Sequence, residues 1–217
     1  MSTLLVVVGL KREARLVGAD TRVLIGGRGL DALMAERPTA LLSFGLCGGL
    51  DPALKIGDLV LGRAVAVGDD RYDADPAWID EIARAVPEAT IGDIAAGPDI
   101  IGTREAKATL REATGALAVD MESHLVAQAA GRLGVPFAVL RAVSDRAGDA
   151  LSKAAQAGFA LNGTSNVAAV ARALAVRPHE LPSLLRTAFH AEAALRSLKS
   201  CVGAIARPAL TEPLLAA

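Results

Sequence analysis

Aromatic side chains are scarce: one Trp, one Tyr and four Phe in 217 residues. A planar ligand would find few rings to stack on, and the core has to be aliphatic. Cysteine is rarer still. Cys47 and Cys201 stand far apart with no CxxC spacing. That excludes a disulfide framework and a cysteine-based zinc site, and it fits a reduced, cytoplasmic chain. His124, His179 and His190 share no metal-ligand spacing, so no metal is expected. No apolar run reaches the ~18–20 residues that cross a bilayer. No basic stretch precedes the apolar start at Leu4, so no signal peptide is read. An excess of one charge is missing too. The 23 basic residues face 24 acidic ones, and a net charge of -1 gives no reason to expect nucleic acid as a partner.

What is present is aliphatic. Hydrophobic residues make up 52% of the chain, enough at this length for one α/β domain with a sizeable core. Leu4-Leu5-Val6-Val7-Val8 ends in Gly9 and reads as a buried strand. Val23-Leu24-Ile25 runs into Gly26-Gly27-Arg28-Gly29, and Ala40-Leu41-Leu42-Ser43-Phe44-Gly45 repeats that design. Further strands are expected at 59–62 and 137–143, and helices at 78–86, 103–113, 120–133 and 165–174. Strands alternating with helices define an α/β fold: a single domain over residues 1–176, with a mainly parallel central sheet flanked by helices. Arg177-Pro178 breaks the chain, and 177–217 reads as a C-terminal helical extension and tail.

Two short segments carry the chemistry. Val119-Asp120-Met121-Glu122-Ser123 opens a helical pattern with two carboxylates beside a thioether. Arg141-Ala142-Val143-Ser144-Asp145 is the polar end of an apolar strand. A strand that ends in Ser-Asp points a carboxylate into the crevice where open α/β sheets bind ligands. One carboxylate suits a sugar diol, because its two oxygens can accept from both hydroxyls. The other, buried and therefore held protonated, suits a leaving group that needs a proton.

These segments resemble the V-E-M-E-A and R-A-I-S-D pair of the nucleoside phosphorylase and nucleosidase superfamily. Ser43-Phe44-Gly45-Leu46-Cys47-Gly48-Gly49-Leu50, followed by Lys55-Ile56-Gly57-Asp58-Leu59-Val60, resembles that family's G-x-x-G-G-L and G-D-[IL]-V segments. The likeness spans roughly residues 4–174, and the opening Gly9-Leu10 with Glu13-Ala14-Arg15 is most like the hopanoid-associated phosphorylases.

The resemblance implies cleavage of a purine N-glycosidic bond. Asp145 would be the general acid to the base, and Glu122 would hold the ribose 2′- and 3′-hydroxyls. Met121 would pack on the sugar, with Ser144 and Ile101 as further substrate contacts. Asp120 reads as structural. Glu13 lies near the place of the glutamate that orients water in the hydrolases, one residue closer to the strand's glycine. Gly9, Arg15, Gly27, Arg28 and Gly45 would form a phosphate or water pocket.

Three departures from the family stand out: the register of Glu13, Leu46 where relatives carry Ser or Thr, and the aliphatic Gly97-Pro98-Asp99-Ile100-Ile101-Gly102 region where an aromatic often meets the base. The implied substrate is a 5′-substituted adenosine, adenosylhopane in the hopanoid-associated group. The alternatives are a methylthioadenosine or S-adenosylhomocysteine nucleosidase, and a non-catalytic purine-nucleoside binding module. No cofactor is expected, with inorganic phosphate as a candidate co-substrate. Three cations (Arg12, Arg15, Arg28) against one carboxylate tilt the expectation slightly towards phosphorolysis. The resemblance also implies a homo-oligomer.

In the tail, Leu181, Leu184, Leu185, Ala188, Leu195 and Leu198 share one helical arc, with Phe189 at its edge. The plain expectation is packing on the domain or on a second subunit. The sharper one is an apolar entrance for a lipid-linked nucleoside, or peripheral contact with a membrane; Glu192 and Lys199 interrupt the stripe and weaken the membrane version.

Overall fold

Five strands of the sheet close on themselves. The computed structural model describes residues 3–18, 21–25, 29–158 and 166–205. In chain order the strands are β1 (Leu4–Val8), β2 (Arg22–Ile25), β3 (Ala40–Gly49), β4 (Leu59–Val67), β5 (Asp70–Asp73), β6 (Thr90–Ala96), β7 (Ala118–Asp120) and β8 (Phe137–Asp145). The helices are α1 (Lys11–Ala14), α2 (Gly29–Ala35), α3 (Pro76–Ala85), α4 (Arg104–Thr114), α5 (Ser123–Leu133), α6 (Lys153–Ala157), α7 (Val167–Val176) and α8 (Leu181–Ile205). β3 pairs with β8, β8 with β4, β4 with β6, β6 with β7, and β7 with β3. β1 and β2 extend this ring beyond β3, and β5 extends it beyond β4. Parallel pairing dominates, as the strand–helix alternation implied; antiparallel contacts occur at β3–β7, β4–β8 and β4–β5. Closure satisfies backbone groups that an open sheet would leave unpaired.

The aliphatic runs explain the middle of the ring. β3 is buried over its first six residues and β8 over its first seven, so both are covered on two faces. α5 packs on β3, β4 and β8, and α8 packs on β8 and β3. α5 stops at Gly134, whose φ of 65° is the left-handed cap that glycine adopts without strain. Between Cys47 and Gly48 the β3–β8 register shifts, and the bulge leaves Gly48 opposite Asp145.

Beside the unread α1, α2, β5 and α6, two differences from the sequence reading bear on the ring and its ends. Val119-Asp120 does not open the helix: Asp120 ends β7, and the helix begins at Ser123. The cause is local. Asp120 Oδ1 accepts the N–H groups of Glu122 at 3.0 Å and Ser123 at 2.8 Å, capping the helix from outside it. β6 was not legible, because Thr90-Ile91-Gly92-Asp93 alternates too weakly to mark a strand.

The tail's apolar arc divides in two. In α8, Ala194, Leu195, Leu198 and Cys201 join the main core, while Leu181, Leu185 and Phe189 are exposed. The described tail helix therefore completes the domain's core with its second half only. Leu198→Ala should cost about 2–5 kcal/mol in denaturant unfolding, the usual range for emptying a packed site. Leu185→Ala should stay within about 0.5 kcal/mol of the parent. Equal costs at the two positions would contradict this division of the helix.

Candidate active site

A charged residue in the middle of a buried strand organises this region. Arg141 on β8 is fully buried. Its Nε lies 2.7 Å from Asp120 Oδ2, an ion pair whose angle is not that of a hydrogen bond. One terminal nitrogen is 3.4 Å from Glu122 Oε2 and from the Leu46 carbonyl. The other donates to Ser43 Oγ at 2.5 Å and to Ser123 Oγ at 3.4 Å. Ser123 in turn donates to Asp120 Oδ2, so the guanidinium, two serines and two carboxylates form one buried network.

Glu13 enters from the turn after β1. Its Oε2 accepts the N–H groups of Gly9 and Leu10, and its Oε1 accepts that of Leu46, each at 2.8 Å. Burial raises its pKa, opposed by Arg141 and by these three amides. Glu122 is raised to about 7, by burial first and then by Asp120 and Glu13, while Arg141 pulls the other way. Two glycines make room for this crowding. A Cβ on Gly9 would lie 2.6 Å from Glu122 Oε1, and one on Gly45 would lie 2.6 Å from Glu13 Oε1. Gly45 also has φ 152°, which disfavours any side chain.

Asp145 ends β8, nearly buried. Lys107 of α4 donates to its Oδ1, and Ser144 Oγ lies 3.2 Å from its Oδ2 and 3.1 Å from the Cys47 carbonyl. Burial raises the Asp145 pKa against the pull of Lys107 and Ser144. Gly48 faces it: a Cβ there would be 3.2 Å from Asp145 Oδ1 and 3.4 Å from Val119. Ile101 packs with Val119, Leu50, Ala95 and Ala116, beside that gap. Met121 is half-buried in the turn between β7 and α5. Burial also pushes the Cys47 thiol up, which rules it out as a nucleophile.

The expected anion pocket fares differently. Gly9 and Gly45 border the carboxylates, but Arg15 is exposed at the end of α1, and among the described residues no hydrogen bond or ion pair joins it to the cluster. Arg12 turns outward to pair with Glu192 of α8. The expectation that these two cations tilt the site towards phosphate is therefore corrected: α1 is a single turn, and of its charged side chains only Glu13 is buried. Gly27 and Arg28 lie outside the described residues. Among those described, no group of three His, Cys, Asp or Glu could hold a metal.

Sequence reading gave Arg141 and Lys107 no role. Arg141 had a signal, since a lone charge inside an apolar strand demands buried partners. Lys107 had none, because a lysine on a polar-looking helix reads as solvent-facing.

Buried carboxylates with raised proton affinity, packed against glycines beside two buried cations, mark this as the candidate site of the fold. The chain belongs to the phosphorylase superfamily, whose sequence pattern it matches over residues 28–176. It is 28% identical to the 5′-methylthioadenosine/S-adenosylhomocysteine nucleosidase of Staphylococcus aureus over 133 aligned positions, covering 51% of this chain and 58% of that one. The chain thus spans little more than half the length of the curated relatives it matches.

Solved structures share the fold at lower identity. Futalosine hydrolase of Helicobacter pylori superposes with a TM-score of 0.62 at 18% identity, covering 81% of this chain and 98% of that one. The 5′-methylthioadenosine/S-adenosylhomocysteine nucleosidase of Neisseria meningitidis, in complex with methylthio-immucillin-A, gives 0.61 at 20%, covering 92% and 99%.

The raised pKa of Glu122 has a consequence for stability. A carboxyl bound more tightly to its proton in the folded state stabilises fully below its unfolded pKa of 4.5, and that contribution fades as pH rises through about 7. Glu122→Gln should flatten the fall in unfolding free energy between these pH values, read by urea titration at several pH values. An unchanged slope would place the proton elsewhere. Gly45→Ala should destabilise by about 1–3 kcal/mol through backbone strain and displace Glu13, visible in the same titration.

Proposed function

We propose that this protein cleaves the N-glycosidic bond of a 5′-substituted adenosine and releases adenine, with water as the acceptor. The observation that carries the reading is the convergence of Glu13, Glu122 and Asp145, all with raised proton affinity, beside the ends of β1, β7 and β8. Asp145 gives its proton to the purine as the C1′–N9 bond breaks. Glu122 holds the ribose diol, supported by Arg141. Glu13 takes a proton from the attacking water. Met121 packs on the sugar, while Ser144 and Ile101 border the base. General acid catalysis of this kind contributes about 10²–10⁴-fold.

Water is favoured over phosphate on electrostatic grounds. The amides of Gly9, Leu10 and Leu46, which could cradle an anion, are already taken by Glu13. A phosphate dianion placed there would find Arg141 as the one cation of the cluster among the described residues, already paired with Asp120 and Glu122.

The 5′ substituent is read as apolar. Leu46, where relatives carry a hydroxyl, is held against Glu13. α8 runs from Ala154, bonded to Glu180 just before it, to Arg12, paired with Glu192. Between these ties it exposes Leu181, Leu185 and Phe189, the last 73% accessible. This fits a lipid-tailed adenosine such as adenosylhopane. Methylthioadenosine and S-adenosylhomocysteine, the substrates in the relatives' names, are the alternative.

Adenine release from 5′-methylthioadenosine and from a long 5′-alkyl adenosine, with and without phosphate, tests each part. We expect free sugar in both buffers and a preference for the long chain. Accumulation of a sugar 1-phosphate would overturn the acceptor, and a preference for the methylthio compound would overturn the lipid reading. Asp145→Asn should lower turnover by about 10²-fold or more while nucleoside still binds; near-parental turnover would remove Asp145 from the chemistry.

A further inference from the structure

Lys107 is the least expected group in the molecule. α4 carries Arg104, Glu105, Arg111 and Glu112, and Lys107 reads as one more solvent-facing charge. Instead it is fully buried. Its ammonium has three donors, and each meets an oxygen: Asp145 Oδ1, the Arg146 carbonyl at 2.8 Å and the Asp149 carbonyl at 3.3 Å. Burying an ammonium costs several kcal/mol unless it is fully paired, so a lysine placed here only to join a helix to a turn would be an expensive tie. An aliphatic residue of similar length would fill the space at lower cost.

From this geometry we infer that Lys107 is a positioning residue of the reaction: it aims the Asp145 carboxyl at the base and stabilises the carboxylate left when the proton departs. The inference rests on Asp145 being the general acid. The charges close. As the C1′–N9 bond breaks, its electron pair goes to the base, and the Asp145 proton goes to a base nitrogen. Water oxygen bonds to C1′, and the proton it loses goes to Glu13. The proton returns from Glu13 to Asp145 through solvent. Lys107 transfers no proton in this sequence and faces a neutral acid before transfer and an anion after it. Its attraction therefore grows along the reaction, the condition for lowering a barrier rather than merely tightening binding.

The other groups around Asp145 leave this role to Lys107 alone. Arg146 is paired with Asp149 in the turn that follows β8. Asp149 acts in the opposite sense, raising the Asp145 proton affinity. Ser144 donates from β8 itself, and the Cys47 thiol of β3 stays protonated. No other cation among those acting on Asp145 is buried beside it.

The test is the pH profile of adenine release by Lys107→Met. Without the ammonium, burial alone sets the acid. The alkaline limb of kcat should move up by about 1–3 pH units, the effect of an opposite charge in contact. The plateau should fall about tenfold or more, because the acid becomes weaker. Lys107→Arg should restore both in part, since a guanidinium supplies the charge. If Lys107→Met does not fold, Lys107→Gln, neutral and able to hydrogen-bond, carries the same measurement. A limb that stays in place in the neutral variant, with only thermal stability lowered, would reduce Lys107 to a structural tie. Asp145→Asn separates the two claims. An inactive Asp145→Asn with an unmoved limb in the Lys107 variant overturns the inference alone. An active Asp145→Asn overturns the reading beneath it as well.

Discussion

A guanidinium sealed inside a sheet has to be answered with negative charge, and the answer given to Arg141 shapes everything around it. Asp120, Glu122 and Glu13 all lower their energy beside it, yet one cation cannot balance three anions out of reach of water. Part of the mismatch is relieved by hydrogen bonds to Ser43, Ser123 and backbone amides. Burial first, and for Glu122 the neighbouring carboxylates as well, lets these carboxyls hold their protons to higher pH than usual. Proton affinity near neutrality is what acid–base chemistry needs, so the packing problem and the proposed chemistry share one origin.

The ring of strands makes that arrangement possible. Closure brings the ends of β7 and β8 beside the end of β3, although these strands lie far apart in sequence. The bulge at Cys47 and Gly48 re-aims the last turn of the pairing and sets Asp145 across from a residue with no side chain. Gly9 and Gly45 play the same part for Glu122 and Glu13. Each carboxylate thus sits against a missing Cβ. Gly9, Gly45 and Gly48 give clearance to acidic side chains.

Two buried cations divide the acidic groups between them. Arg141 pairs with Asp120 and Glu122, and Lys107 pairs with Asp145. The cations come from different elements, β8 and α4, and both are sealed from solvent.

The order of apolar runs, their lengths and the punctuation by glycine and proline were enough to determine an α/β domain and most of its strands. Val119-Asp120-Met121-Glu122-Ser123 and Arg141-Ala142-Val143-Ser144-Asp145 were enough to nominate Glu122 and Asp145. These are local signals: burial periodicity and residue type do not depend on distant partners. Tertiary structure decided the rest. It placed Asp120 at a strand end, because its carboxylate caps the next helix from outside. It turned Arg12 and Arg15 outward, because α1 is one turn long and Glu13 takes its inner face. It split the tail's apolar stripe, because only the second half of α8 meets β8 and β3. And it buried Lys107, whose partner lies 38 positions away on another element. Where a charge is answered from across the fold, no local pattern records it, since the cost of burying it depends on partners that only folding brings near.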